Sequence, residues 1–427
     1  MDNNFKKGFL VTGIQSQCHG CEACVQICGH NALAMKEDEE GFRYPVVDTE
    51  ACVHCGLCNK VCPVENPPLR NQAEQTAYGG SCINPDTLEN STSGGAFSAI
   101  IDGWCKDNDN YVIFGAVSDG LDVRHCYVTD KALIQPFRKS KYSQSIVGHS
   151  YTEARDFLKQ GKNVVFSGTP CQIGGLIKYL EIFKVDMSAL LTIEVVCEGV
   201  PTPLYMRKLD DYMQRRYGAG IAKLDYRHKK SSRWDSSVKK PGLNDRGKWD
   251  FEVCSYFLKN GVKLRKDRWL NPFWSIWLQH LMSRPSCYEC PYATTRRVAD
   301  ITLGDLWGVH IYCPDLYNHN GGASLVVANS PKGKEALEAA KLQMKGRDLR
   351  FEDALRYQSP MRNHIQMNSE RTRCMADLMN TSLTYEEINS KWAKKPTLKL
   401  LTSKYVYGNR QRVAVWNFKQ IIKKLFR

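Results

Sequence analysis

The sequence predicts an α+β fold: a small cysteine-rich module followed by a larger mixed α/β domain. Three observations predict it. Eight cysteines crowd into residues 18–62 in two matching runs. Short apolar runs then alternate with helical patterns from Tyr78 to Arg216. A strand, a tight turn and a helix follow one another through Ser167-Gly168-Thr169-Pro170-Cys171-Gln172, a unit typical of α/β proteins.

The cysteine runs carry the strongest chemistry. Cys18, Cys21, Cys24 and Cys28 are spaced C-x2-C-x2-C-x3-C, and Cys52, Cys55, Cys58 and Cys62 repeat that spacing, with Pro63 after the last. Thiolates bind soft iron, and this short spacing wraps one loop around three corners of a cubane. The fourth cysteine lies too far along to close its own cluster and in two-cluster ferredoxins ligates the other. Cys18, Cys21, Cys24 and Cys62 are therefore expected to hold one 4Fe–4S centre, and Cys52, Cys55, Cys58 and Cys28 its twin. Structural zinc rarely uses three cysteines two apart with a distant fourth. Gly29 stands where proline would usually follow the first run, which touches no ligand. Residues 1–75 thus read as a bacterial-ferredoxin-like two-cluster domain. Ala32–Met35 and Phe42–Val47 are expected as short strands joined through Glu39, Glu40 and Gly41, with Asn66-Pro67-Pro68 as a linker.

The totals bound the rest. At 427 residues, with 42% hydrophobic and 24% charged residues, the chain has room for two or three domains of ordinary soluble composition. No N-terminal segment has a signal peptide's layout, and no apolar run nears the roughly 18 residues that span a bilayer. Eighteen cysteines in cluster spacing point to a reducing cytoplasm rather than to disulfides. Residues 1–75 hold six Lys/Arg against ten Asp/Glu, whereas residues 389–427 hold eleven Lys/Arg and no acid. The net charge of +14 is thus largely that of the tail, and no nucleic-acid surface is indicated. Val413–Arg427 places Val415, Phe418, Ile422 and Leu425 on one helical face with Lys419, Lys423, Lys424 and Arg427 between. Such a helix lies peripherally on an anionic membrane, docks on an acidic partner, or covers the protein's own core.

Beyond the linker, Ser91-Thr92-Ser93-Gly94-Gly95 precedes the expected helix Ala96–Ile101, a start that serves as an ordinary N-cap or holds a phosphate. Tyr111–Val117 and Val123–Val128 are expected strands around Asp119-Gly120. Arg138–Ser145 is basic and hydroxyl-rich around Tyr142, fitting a wet loop or a phosphate or flavin contact alike. Lys162–Phe166 and Leu190–Val196 are expected strands, and helices are expected after Pro170 and from Pro201 to Arg216. The turn after Phe166 lacks G-x-G-x-x-G, which argues against a conventional nicotinamide site. Asp225–Lys240, with Trp234, is a basic Ser-rich segment, either a loop over a ligand or wet surface. Cys287-Tyr288-Glu289-Cys290-Pro291 is a single C-x2-C, consistent with zinc, a redox dithiol or half a cluster. Cys171 and Cys197 each end an expected strand, so the four could meet at one rim; buried ordinary cysteines are the bland alternative.

Taken in order, Ser93-Gly94-Gly95, Ser140-Lys141-Tyr142, Gly168–Gln172, Cys197-Glu198-Gly199, Cys287–Pro291, Ala299–Gly308 and Gly321–Val326 resemble the coenzyme F-420 hydrogenase/dehydrogenase beta subunit family. The resemblance spans about residues 76–345, with 76–150 and 151–345 as the two parts of that domain and 346–427 as a basic C-terminal extension. It implies non-covalent FAD, making the mixed α/β domain the flavin-binding one. Matched positions place FAD against Ser93, Gly94, Gly95, Lys141, Tyr142, Ser145, Gly168 and Thr169, whereas Asp305 is expected instead to stabilise the cluster loop. It also implies a third 4Fe–4S cluster on Cys171, Cys197, Cys287 and Cys290.

The expected activity is an oxidoreductase that joins a ferredoxin or other one-electron carrier to a two-electron small molecule or deazaflavin-like coenzyme, because a flavin converts between the two. The alternatives are a non-catalytic electron-transfer subunit and a thiol sensor using Cys287 and Cys290. The charges Lys229, Lys230 and Arg233 would suit an acidic substrate.

Overall fold

The computed structural model describes residues 6–71, 73–106, 109–229, 238–239, 252–312, 314–317, 321–407 and 410–425. In the cysteine module, β1 (Leu33–Glu37) and β2 (Arg43–Val47) pair antiparallel with Met35 opposite Pro45. Pro45 is tolerated because a two-stranded ribbon has only edge strands. Asp38 shapes the turn by accepting the Phe42 N–H at 2.9 Å, and Gly41 takes φ +81°. Each cysteine run folds into a single helical turn, Ala23–Gln26 and Leu57–Lys60. Each turn is entered through a left-handed residue, Glu22 at φ +63° and Gly56 at φ +72°.

Two further sheets follow. The larger has eight strands: β3 (Thr76–Cys82), β4 (Tyr111–Asp119), β5 (Asp122–Val128), β6 (Asn163–Gly168), β7 (Leu190–Val195), β12 (Ile301–Asp305), β13 (Ser324–Ala328) and β14 (Met344–Leu349). Their spatial order is β14-β3-β13-β12-β7-β6-β4-β5. The central β12, β7, β6 and β4 run parallel, and antiparallel strands finish both sides. The parallel strands are apolar on both faces, as Val112-Ile113-Phe114 and Val164-Val165-Phe166 show, because helices cover both. The smaller sheet has the order β8 (Ile221–His228), β10 (Val253–Leu258), β11 (Lys263–Lys266) and β9 (Val238–Lys239).

On one face of the large sheet, α1 (Ala96–Trp104) and α6 (Pro331–Lys341) pack Ile100, Ala336 and Leu337 against Ile113, Val165 and Leu191. On the other, α2 (Ser150–Lys159) and α3 (Pro170–Ile182) bury Tyr151, Ile173 and Leu176 against Val112 and Phe166. Ala23, Ile27 and Val61 of the cysteine module join this second core, so the module is packed onto the same layer as α3. A third core is built by α4 (Pro203–Tyr217), α5 (Pro272–Trp277), α7 (Arg371–Met379) and α8 (Tyr385–Trp392) with the small sheet. Cys374, Met375, Leu378 and Ile388 take part in it. Part of the stretch beyond residue 346 is therefore core.

On the last helix, α9 (Arg410–Leu425), the described apolar side chains Val415, Phe418, Ile421, Ile422 and Leu425 are all exposed. The expected basic segment after Asp225 begins as the end of β8; Lys230, Arg233 and Trp234 lie outside the described residues.

Several contacts join the module to the C-terminal core, among them Arg207 with Glu37. Arg371 donates to both Glu40 oxygens (2.9 and 2.5 Å) and to the Ser283 carbonyl, and it is largely buried. Removing one member of such a pair strands the other. Arg371→Met is expected to lower the unfolding free energy by about 3 kcal/mol, read by urea unfolding of anaerobic protein.

Candidate redox centres and the cavity beside them

Cys18, Cys21, Cys24 and Cys62 line one cavity, and Cys58, expected in the second centre, lines it too. The left-handed Glu22 lets the backbone wrap between the second and third cysteines; Arg43 and the Gly148 N–H hold its carboxylate at 3.1 and 2.9 Å. Cys62 crosses over from the second run, so the structure brings together the four cysteines assigned to the first centre. Burial pushes the Cys21 and Cys24 thiols well above their ordinary range, and the neighbouring thiols add to it. Cys52, Cys55 and Cys58 share one loop nearer the surface, with Cys55 exposed. Cys28 is partly buried where its N–H closes onto the Val25 carbonyl.

The four later cysteines also meet. Cys171 sits in the first turn of α3, Cys197 just beyond β7, and Cys287 and Cys290 on the loop after α5, all lining a second cavity with His19, Arg284 and Arg297. Burial pushes Cys197 well up, Cys287 to about 12 and Cys171 to about 11, with the neighbouring thiols adding to it. Such thiols do not ionise alone near neutrality; a bound metal deprotonates them outright. Among the described residues, no three Cys, His, Asp or Glu close tightly enough for a single ion. Sulfurs standing around a cavity suit the four corners of a cubane better than one tetrahedral zinc.

Helix α3 ties the two cavities together. A Cβ on Gly175 would come 3.1 Å from Cys21 Sγ, and one on Gly174 would come 2.3 Å from Tyr292 Oη. Two adjacent glycines mid-helix cost about 1 kcal/mol each relative to alanine, and here they admit both cysteine loops to one helix.

A third cavity, of about 310 Å³, opens at the carboxyl ends of β6, β7 and β12, where open α/β sheets bind ligands. Ser93, Gly95, Lys141, Tyr142, Ser145, Gly168, Thr169 and Asp305 all line it. Gly94 does not: its role is close packing, since a Cβ there would lie 2.3 Å from the Gly80 carbonyl. Cys197 lines this cavity as well as the four-cysteine one.

The two candidate phosphate turns differ. At α3, Thr169 and Gln172 close a capping box, so that helix start is sealed by its own side chains. At α1, Gly95 (φ +80°) supplies no side-chain cap, and Gly95, Ala96 and Phe97 line the cavity. That first turn therefore opens on the cavity without a side-chain cap.

Lys141 donates to the carbonyls of Pro136, Phe137 and Arg138 at 2.8–3.1 Å, and burial pulls its pKa down to about 7. Tyr142 is held edge-on by Trp274, Trp277 and Tyr226 at 4.8–5.1 Å.

Sequence reasoning missed the chain of hydrogen bonds behind this wall. His125 Nε2 donates to the Ser167 carbonyl (2.9 Å), so its Nδ1 accepts from Ser145 Oγ (3.0 Å), which in turn accepts from Gln172 Nε2 (2.9 Å). Strand alternation places His125 inward but does not mark it as polar-paired. Sequence also missed Asp225, whose carboxylate binds Lys139 (2.5 Å) and His228 (3.2 Å). Burial alone would raise it, yet the hydrogen bonds from His228 and Lys139 and the Lys139 charge hold it well below the usual carboxylate range. Arg227 pairs with Asp305 and Glu252.

Comparison with known proteins gives matches in both parts of the chain. Residues 161–347 match the family described as the C terminus of the coenzyme F420 hydrogenase/dehydrogenase beta subunit. Residues 17–66 match the 4Fe-4S dicluster domain. The resemblance drawn from the motifs is thereby shown, and the chain is an iron–sulfur protein related to that beta subunit. An uncharacterized ferredoxin of Methanocaldococcus jannaschii is 30% identical over 80 residues, covering 18% of this chain. The chain spans about half the length of that curated relative, 48%. The solved F420-reducing NiFe hydrogenase complex from Methanosarcina barkeri, a xenon derivative, contains a chain 14% identical. That likeness covers 66% of this chain and 84% of the other, at a TM-score of 0.42.

His125 makes the cavity wall acid-sensitive. Burial lowers its pKa from 6.5 to about 4, so the native state keeps it neutral while the unfolded chain takes a proton. Its contribution is complete above pH 6.5 and is lost as pH falls toward 4. Wild type is expected to lose about 2 kcal/mol of stability from this group between roughly pH 7 and 5. Urea titrations should show a smaller loss over that interval in His125→Asn.

Proposed function

We propose that this chain is an iron–sulfur flavoprotein oxidoreductase, joining a ferredoxin-type one-electron carrier to a small two-electron substrate or deazaflavin-like coenzyme. The observation that carries it is Cys197, which lines both the four-cysteine cavity and the 310 Å³ cavity. The cysteine sets follow one another inward from exposed Cys55, through the Cys18–Cys62 cavity, to Cys171, Cys197, Cys287 and Cys290. His19 walls both of the last two cavities.

The residues fit the groups this reading requires. Four soft thiolates in each set suit 4Fe–4S clusters, the third held by Cys171, Cys197, Cys287 and Cys290. FAD would lie in the large cavity against Ser93, Gly95, Lys141, Tyr142, Ser145, Gly168 and Thr169, with a phosphate at the α1 start. When bound, the clusters carry single electrons and the flavin exchanges them in pairs. The chain's own part is positional. Tyr142 is locked by its aromatic neighbours, Lys141 pins the 136–138 turn, and the His125–Ser145–Gln172 chain fixes the wall.

Anaerobic purification with iron, sulfide and flavin analysis tests the reading. Wild type is expected to carry about twelve irons and one FAD. Cys287→Ala should fall to about eight irons while the N-terminal centres keep their spectra. A chain with clusters but no flavin would instead be an electron-transfer subunit of a larger complex.

We further propose that the protein works at the inner face of a membrane through α9. Phe418 and Leu425 are 63% and 76% exposed, the tail is basic throughout, and among the described residues no helix can cross a bilayer. An exposed apolar face with basic flanks binds anionic lipid surfaces. The full chain should pellet with phosphatidylserine vesicles, and a chain ending before Gly408 should not.

A further inference from the structure

Arg284 is 1% exposed, and its hydrogen-bond partners among the described residues are neutral. Its Nε donates to the Cys18 carbonyl at 2.9 Å, and its two terminal nitrogens donate to Gln144 Oε1 at 3.1 Å and the Arg43 carbonyl at 3.0 Å. Its guanidinium carbon lies 4.3 Å from the Tyr44 ring centroid. Among the described residues no carboxylate reaches ion-pair distance. A guanidinium taken out of water without an anion is expensive to fold around, so a counter-charge is to be sought nearby.

Four cysteines share a cavity with Arg284: Cys171, Cys197, Cys287 and Cys290. The Cys18 whose carbonyl it grips lines the neighbouring cavity, and adjacent His19 walls both. Even the backbone is fitted to it: a Cβ on Gly20 would come 3.1 Å from the guanidinium. Three polar anchors and a ring face leave it one place to stand.

We propose that Arg284 is a fixed counter-charge set between two cluster sites, and that it raises the reduction potential of the centre held by Cys171, Cys197, Cys287 and Cys290. This rests on the third centre proposed above. A one-electron carrier supplies one electron, which deepens the negative charge beside a guanidinium that stays protonated. No bond forms or breaks and no proton moves, so the reduced form gains more from Arg284 than the oxidised form. Local charge is one of the levers that set cluster potentials.

The test is dithionite titration of anaerobic full-length protein followed by electron paramagnetic resonance, with iron counted in every variant. In Arg284→Met one centre is expected to become harder to reduce by roughly tenfold or more in its one-electron equilibrium, or about 59 mV. Arg284→Lys keeps the charge and should hold that centre near the wild-type potential. The proposal falls if Arg284→Met keeps its iron with every potential unchanged, or if Arg284→Lys shifts or loses iron as Arg284→Met does. Loss of iron in Arg284→Met alone, with Arg284→Lys intact, supports it. A wild-type count of about eight irons would instead remove the third centre and the reading beneath it.

Discussion

The constraint behind this architecture is the cost of keeping sulfur anions in a protein interior. Burial drives the Cys21, Cys24 and Cys197 thiols well above their ordinary range, so each set favours the neutral thiol unless a cation sits among them. Two consequences follow for the fold. The sulfurs must converge on a shared cavity, and the cavity walls must donate rather than accept. Arg284, Arg297 and His19 line the second cavity. The acids nearby are already engaged: Glu194 is held by Arg297 and Thr302, and Glu22 and Glu65, which line the first cavity, accept from Arg43 and the Gly148 N–H and from the Gly8 N–H respectively.

Close approach is the second demand, and it is met by omission of side chains. Helix α3 carries Cys171 at its start and Gly174-Gly175 in its body, where a Cβ would strike Tyr292 and Cys21. The helix gives up propensity so that both cysteine loops can rest on it. The same device recurs at Gly94, which lets the approach to α1 run flush against β3 and β13. In both places the glycine serves packing between elements rather than a turn.

Much of this could be read from the chain. The cysteine spacing, the ribbon between the runs, the β4–β5 hairpin and the strand–turn–helix at Gly168 are local patterns, set by residues within a few positions of one another. What stayed hidden is non-local. The alternation of β12 and β13 resembles any buried strand, and nothing near Ala299–Val326 announces that they insert between β3 and β7. Cys374 and Ile388 look like ordinary helical apolar positions, and their place beside α4 and α5 depends on contacts between segments far apart in the chain. His125 was silent for a related reason: its meaning lies in Ser145 and Gln172, which arrive from other elements.

The basic, hydroxyl-rich loop shows what such charges do inside the fold. Arg138–Ser145 does line the cavity, as its charge invited. Yet its cations are already engaged within the protein. Lys139 binds Asp225, Lys141 serves three carbonyls, and Arg138 donates to Ser98 Oγ. Lys229, from the end of β8, spans the carbonyls of Leu88, Ser93 and Gly321. A lysine bound to three carbonyls offers a ligand little, because its donors are spent and its carbon stem is buried. These cations fix the loops around the cavity. Under the proposed function, an anionic group of the ligand would meet the first turn of α1, where Gly95 brings no side-chain cap and where Ser91 and Ser93 already donate to the Thr87 and Ala323 carbonyls. Because backbone N–H groups read shape and charge without titrating, an anion site of the kind proposed there would keep its strength across the pH range in which Lys141 changes.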